Sequence, residues 1–295
     1  MPTWREARGA VGRWRRTLRR RILEPVLVGQ RSFRETVLNA LAARGHLVFC
    51  QLDNAVFFVD PSDRAIGSSI MWQGGWQRDE IEGAAKILAD AGRLKPGSVF
   101  VDAGANIGTQ TVYALKIGHF SRAIAFEPEP RNAALLEMNV RANGYQDRAV
   151  VVKKALGGAA GTATLYLHPR NKGAHALVTP PSVDGLEQID VPVVRLDAAL
   201  AEAGITPDML GMIWIDVEGQ EPELIGSLGP LLERAVPLAI EFAPERYGPE
   251  KLRMLIDLLA RHYTVMQRLG TVSRGPEPVQ ALAGIEERLT DVLVY

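Results

Sequence analysis

Val99-Phe100-Val101-Asp102-Ala103-Gly104-Ala105-Asn106-Ile107-Gly108 reads as an apolar strand that ends on an acidic residue and turns, through two glycines, into a helix. After that helix comes a second apolar run, Ala123-Ile124-Ala125-Phe126, closing on Glu127-Pro128. A helical stretch (PRNAALLEMNVRANG) and a third apolar run (AVVVKKAL) follow. Strands that alternate with helices predict βαβ units and a parallel sheet. Ligands of such sheets bind beyond the carboxyl ends of the strands, where Gly104 and Gly108 fall. Glycine there lets the backbone approach a ligand, and the first N–H groups of the helix are free. Glu127, twenty-five positions after Asp102, stands where a carboxylate accepts hydrogen bonds from two ribose hydroxyls. A nucleoside-containing cofactor is therefore expected.

Outward from this core the alternation continues. GMIWIDVEG and PLAIEFAP read as strands, helices are expected over residues 220–234 and 250–261, and closing strands near 262–267 and 291–295. Between Ala155 and Gly211 two strands are expected to flank a Pro/Gly-rich excursion at residues 168–188. Upstream, His46 to Asp60 holds two apolar runs about Asp53-Asn54, a hairpin signal, before MWQGGW, read as a loop. Residues 77–93 carry a helical pattern that stops before Leu94-Lys95-Pro96-Gly97. These boundaries divide the chain into a basic helical arm (1–45), a β-cap with a lead-in helix (46–93) and a main domain (94–295).

The 295 residues are 47% hydrophobic and 23% charged, which excludes disorder, collagen and a coiled coil. One cysteine, Cys50, excludes an internal disulfide framework and any multi-cysteine zinc site. No apolar run reaches the length of about eighteen residues that a spanning helix needs, and the first thirty lack a secretory h-region. A cytoplasmic protein is expected. The net charge of zero conceals asymmetry: residues 1–34 hold ten Arg and two Glu, a charge of +8, leaving −8 on the remainder. Trp4, Ala7, Val11, Trp14, Leu18 and Ile22 fall at helical spacing in that arm. The pattern is read first as a helix packed on its own domain or on a second subunit, with peripheral contact with the inner membrane surface or a protein partner as the alternative. Nucleic acid is not expected as a partner, because the acidic main domain repels phosphate.

The turn itself selects the cofactor. A dinucleotide site wants G-x-G-x-x-G, whereas these glycines are four apart, Asn106 lies between them and Asp102 precedes them. A carboxylate beside a diphosphate is repulsive but suits a ligand with a positive amino end. With Glu127, this points to S-adenosyl-L-methionine. VFVDAGANIG, AFEPEPRNAALLEMNVRANG, IWIDVEGQEPELIGS and LAIEFAP, in this order across residues 96–244, resemble the FkbM family of S-adenosylmethionine-dependent methyltransferases. The resemblance implies a class I methyltransferase fold: a Rossmann-like α/β sheet of seven strands, mostly parallel, with the last strand reversed. It also implies that Asp102, Gly104, Asn106 and Gly108 shape the methionine and ribose pocket, with Glu127 on the ribose, and that the acceptor is a hydroxyl of a sugar or related metabolite. Two stretches depart from the pattern. Val152-Lys153-Lys154-Ala155-Leu156 offers no acidic residue for the adenine, and Asn171-Lys172-Gly173-Ala174-His175 lacks the expected small hydroxyl residue.

Methyl transfer to an alcohol is an in-line displacement that requires removal of the hydroxyl proton. Asp216 closes the IWID strand and is the first candidate base. Glu218 follows in a D-x-E alternation that puts both carboxylates on one side if the strand persists. Glu221 and Glu223 are read as helix-start residues at the positive dipole end. Glu241, on a strand predicted to be buried, needs a partner or faces the crevice. His175 is a second candidate base from its near-neutral titration; His168 and His119 are weaker candidates. Trp72 and Trp76 can stack on a sugar or serve as core. Asp216, Glu218 and Glu241 are hard oxygen donors of the kind Mg²⁺ takes, but nothing in their spacing demands an ion and no metal is assigned. The expected function is O-methylation of a saccharide or saccharide-containing metabolite, the acceptor being a small molecule or glycan. A nicotinamide dehydrogenase and a non-catalytic membrane- or partner-binding protein are the alternatives.

Overall fold

The computed structural model describes residues 31–179, 186–270 and 275–295; the basic arm's first thirty residues lie outside these. The described residues form two units, 31–48 with 60–62 and 49–59 with 63–295. Helix α1 (Arg31–Ala42) belongs to the first. The second holds the sheet and the candidate site.

Strands β1 (Val48–Gln51) and β2 (Val56–Val59) pair about the expected turn, which Leu52 N–H closes on the Ala55 carbonyl at 2.9 Å. Helices α2 (Ile66–Gln73) and α3 (Arg78–Asp90) follow. Met71, Trp72 and Gln73, read as loop, instead finish α2, which stops at Gly74 with φ 85°, a left-handed conformation that glycine adopts without strain. Then β3 (Ser98–Ala103), α4 (Thr109–Ile117), β4 (Phe120–Phe126), α5 (Pro130–Ala142) and β5 (Ala149–Val152) alternate as the apolar periodicity demands. Strands β6 (Ala155–Leu156), β7 (Gly161–Leu167) and β8 (Glu187–Val194) form a separate three-stranded sheet, and β7 and β8 flank the excursion.

Helix α6 (Leu196–Glu202) leads into β9 (Leu210–Ile215). The single helix expected over 220–234 is two, α7 (Glu221–Gly226) and α8 (Pro230–Glu233). Gly229 sits outside helical geometry at φ 37°, ψ −103°, and Pro230 has no N–H to continue a helical ladder. After β10 (Leu238–Phe242), helix α9 (Pro244–His262) is interrupted at Gly248, φ 73°, just before Pro249. Strands β11 (Val265–Arg268), β12 (Glu277–Pro278) and β13 (Thr290–Val294) complete the described chain.

The main sheet has the order β12-β11-β13-β10-β9-β3-β4-β5. Strands β5, β4, β3, β9 and β10 are mutually parallel, and β13 runs antiparallel to both β10 and β11. This is the expected seven-stranded sheet with its last strand reversed, and the two-residue β12 adds an eighth at the edge. Every residue of β3, β9 and β10 is buried, which is why these strands read as continuous apolar runs rather than alternations. Burial of Phe100, Phe126 and Phe242 contributes about 1.5–3 kcal/mol each.

Strand β2 is fixed to α5 by two side-chain amides that imitate a strand edge. Asn139 Oδ1 accepts Phe58 N–H at 2.6 Å and its Nδ2 donates to the Phe58 and Ile107 carbonyls. One turn later, Asn143 accepts Val56 N–H at 3.0 Å and donates to the Val56 carbonyl at 2.8 Å.

Candidate active site

A cleft opens at the carboxyl ends of β3, β4 and β9, walled by Gly104, Asn106, Glu127, Asp216 and Glu218 and faced by Lys172 and His175 of the excursion. Its floor is made by close strand approach. A Cβ on Gly104, where φ is +88°, would lie 1.8 Å from the Asp216 carbonyl oxygen, so only glycine fits. Asn106 N–H donates to Glu127 Oε2 at 2.8 Å, and Glu129 N–H donates to Glu127 Oε1 at 2.8 Å. Each carboxylate oxygen keeps room for a further donor. Burial pushes the Glu127 carboxyl up to about 8 against the lowering effect of these two N–H groups.

Asp102 and Gly108 lie behind this wall rather than in it. Asp102 is fully buried; its Oδ2 accepts the Thr111 hydroxyl, while Oδ1 has no hydrogen-bond partner among the described residues. Burial raises it to about 7. Gly108 starts α4 at φ 87°, and a Cβ there would meet Leu136 Cδ1 at 2.4 Å. It allows α4 to pack on α5. Of the five residues assigned to the cofactor, the structure brings Gly104, Asn106 and Glu127 to the cleft.

The acidic group forms differently from its sequence reading. Strand β9 ends at Ile215, so the D-x-E alternation does not persist; Glu218 takes a left-handed φ of 53° and Gly219 a φ of 99°. The turn is shaped by Glu221, fully buried, whose carboxylate accepts Val217 N–H and Gly219 N–H at 3.0 Å. Glu221 thus builds the turn as well as opening α7. Asp216, Glu218 and Glu241 nonetheless converge, with one carboxylate oxygen of each within 4.8 Å of the others. Arg246 Nη1 contacts Glu218 Oε2 at 2.5 Å and Glu241 Oε2 at 3.1 Å. Asp216 has no side-chain partner among the described residues. Burial, then the charges of Glu241 and Glu218, hold its carboxyl well above the ordinary range. Burial and Glu218 raise Glu241 to about 8.

His175 faces the cleft, and His168 lines an adjoining cavity that Glu218 also borders. His119, Trp72 and Trp76 do not line the cleft. Sequence reasoning missed Arg246, Lys172 and Asn132. The first two carried only a charge as signal; Asn132 carried none.

A parallel sheet with a reversed strand, an acidic residue at the end of its second strand and a glycine turn after its first define a class I methyltransferase. S-adenosylmethionine fits this cleft: Glu127 offers acceptors for ribose hydroxyls, and Asp216 and Glu218 offer negative charge to a cationic ligand. A family model for the methyltransferase FkbM domain matches residues 102–268, more than half of the chain. The chain is 28% identical over 192 residues to the 2-O-methyltransferase NoeI of Sinorhizobium fredii, covering 59% of this chain and 75% of that protein. It is 30% identical over 164 residues to the 31-O-demethyl-FK506 methyltransferase FkbM of Streptomyces tacrolimicus, covering 46% of this chain and 61% of that one. Among solved structures it is similar to the methyltransferase FkbM of Methylobacillus flagellatus, with 16% identity, a TM-score of 0.46 and coverage of 89% of this chain and 59% of that one. The chain belongs to the FkbM family of S-adenosylmethionine-dependent methyltransferases.

Proposed function

We propose that this enzyme methylates a hydroxyl oxygen of a saccharide or saccharide-containing metabolite, with Asp216 as the proton acceptor. The observation that carries the reading is the Asp216 carboxyl: it faces the cofactor cleft without a side-chain partner, while its acidic neighbours are tied to Arg246. NoeI and FkbM, both named for O-methylation, support an oxygen acceptor. The saccharide rests on the family resemblance.

When bound, the cofactor supplies an electrophilic methyl on a sulfonium. Glu127 would hold the ribose through its hydroxyls, and the Gly104–Asn106 turn would border the amino-acid end. Asp216 would take the proton of the acceptor hydroxyl as that oxygen accepts the methyl group. Its raised proton affinity brings it closer to the alcohol than an ordinary carboxylate would be, which favours proton transfer in the transition state. Burial first, and then the neighbouring Glu241 and Glu218 carboxyls, sustain that affinity.

No helix among the described residues is long and apolar enough to cross a membrane. The test is an acceptor screen by mass spectrometry: purified protein, S-adenosylmethionine, and panels of saccharides, glycosylated metabolites and non-glycosylated alcohols. Methyl ethers formed on the glycosylated panel support the reading. Products confined to non-glycosylated alcohols, or to nitrogen or carbon, contradict it.

A further inference from the structure

We propose that His175 and Lys172 form the subsite for the carboxylate at the amino-acid end of the cofactor, with His175 serving as a neutral hydrogen-bond donor through Nε2. The inference rests on the cofactor assignment and adds a role for the excursion loop that the sheet does not supply.

Residues 167–175 form a fixed wall. Tyr166 and Ala176 pair across its base, with N–H to carbonyl distances of 2.9 and 3.2 Å. Its tip is fastened at several atoms: the Lys172 carbonyl accepts Asn106 Nδ2 at 2.8 Å and Asn132 Nδ2 at 3.0 Å, Lys172 N–H donates to Asp63 Oδ1 at 3.3 Å, and the Arg170 carbonyl accepts Arg64 N–H at 2.7 Å. Asn106 belongs to the turn after β3, and its backbone N–H bonds the carboxylate that receives the ribose. Lys172 and His175 thereby line the same cleft as Asp216 and Glu218, the carboxyls that suit the ammonium of the amino-acid end. Lys154, the other cationic residue of the lining, follows β5 on the opposite side of β4 from β3.

The proton on His175 is placed by its neighbour. His168 N–H donates to His175 Nδ1 at 2.9 Å. A backbone N–H can only donate, so Nδ1 presents its lone pair and the ring proton resides on Nε2. Protonating Nδ1 would break this bond. Burial, with Lys172 and His168 nearby, lowers the histidine to about 4, so it is neutral at physiological pH. A ring in this state donates into the cleft and does not take a proton from an alcohol, which leaves that step to Asp216. The amino-acid end of the cofactor is a zwitterion. Asp216 and Glu218 complement its ammonium group, and its carboxylate requires donors, which Lys172 and His175 provide.

Two ligands separate this subsite from the rest of the cleft. S-adenosylhomocysteine carries the amino-acid end, and 5′-methylthioadenosine lacks it but keeps the nucleoside. By calorimetry, His175→Phe is expected to weaken S-adenosylhomocysteine about tenfold or more, the effect of losing a hydrogen bond to a charged group. The same variant should leave 5′-methylthioadenosine within about twofold of wild type. His175→Gln should recover most of the loss, since its amide oxygen can accept His168 N–H while its nitrogen donates. Nitrogen NMR of the wild type should find Nδ1 unprotonated down to about pH 5. Equal loss for both ligands, no loss for S-adenosylhomocysteine, or a histidine that titrates near its ordinary value would overturn the proposal. Failure of the wild type to bind either ligand would instead strike the cofactor assignment.

Discussion

Asp216 and Glu241 stand at the ends of neighbouring parallel strands with carboxylate oxygens within 4.8 Å of each other, yet only Glu241 has an arginine partner. That asymmetry divides the labour. Arg246 holds Glu241 and Glu218 in place, while Asp216, with no side-chain hydrogen bond among the described residues, keeps its carboxyl open to the cleft.

Asp216→Asn is therefore expected to lower the rate of acceptor methylation by about 10²- to 10⁴-fold, the span of a lost general base. In wild type the rate should rise with pH over a range above that of ordinary carboxylates, because Asp216 must shed its proton to act. Single-turnover rates across pH check both. A variant with near-normal rates would remove Asp216 from the mechanism.

Glu127→Ala should weaken S-adenosylmethionine about tenfold or more, since the acceptors for both ribose hydroxyls are lost. The variant also frees Asn106 N–H and Glu129 N–H, so the melting temperature should fall as well. Calorimetry at several temperatures separates the two effects, and unchanged affinity in a folded variant would deny Glu127 the ribose.

Glycine substitutions should rank by what surrounds them. In Gly104→Ala the new Cβ would meet a backbone carbonyl at 1.8 Å, and in Gly108→Ala the tip of Leu136 at 2.4 Å. Both carry positive φ, but a leucine tip can shift and a strand-end carbonyl cannot. Gly104→Ala should cost more than about 2 kcal/mol of stability, and Gly108→Ala less than Gly104→Ala. Urea titration gives the order; a reversed order would contradict the packing account.

Stability should fall as pH rises from about 4 to 8. Burial holds Asp102 and Asp291 at about 7 and Glu127 and Glu241 at about 8 in the folded chain. In the unfolded chain these carboxyls titrate near 4. The folded state thus retains protons that the unfolded state has released, and ∂ΔG/∂pH is negative across that window. A melting temperature higher at pH 5.5 than at pH 8 is expected; a flat or rising profile would contradict it.

The parallel sheet was legible because its central strands are buried on both faces, which writes them as unbroken apolar runs. Gly104 and Glu127 were legible because a strand end, a turn and a second strand end fall in fixed order along the chain. Gly108 belonged to the same string, but whether a glycine faces ligand or helix depends on Leu136, which the string does not contain. Arg246 was not legible. Its position depends on the interruption at Gly248 and on Tyr247, whose hydroxyl accepts Ala243 N–H and donates to the Glu241 carbonyl. The excursion loop was opaque for a related reason: side-chain amides from distant helices and turns fasten it, and such bonds leave no periodicity.

A crystal structure with S-adenosylhomocysteine tests the account most directly. The arrangement described here predicts ribose hydroxyls on the Glu127 carboxylate and the sulfur turned toward the Asp216 carboxyl. A nucleoside bound away from Glu127, or a sulfur facing away from Asp216, would contradict it.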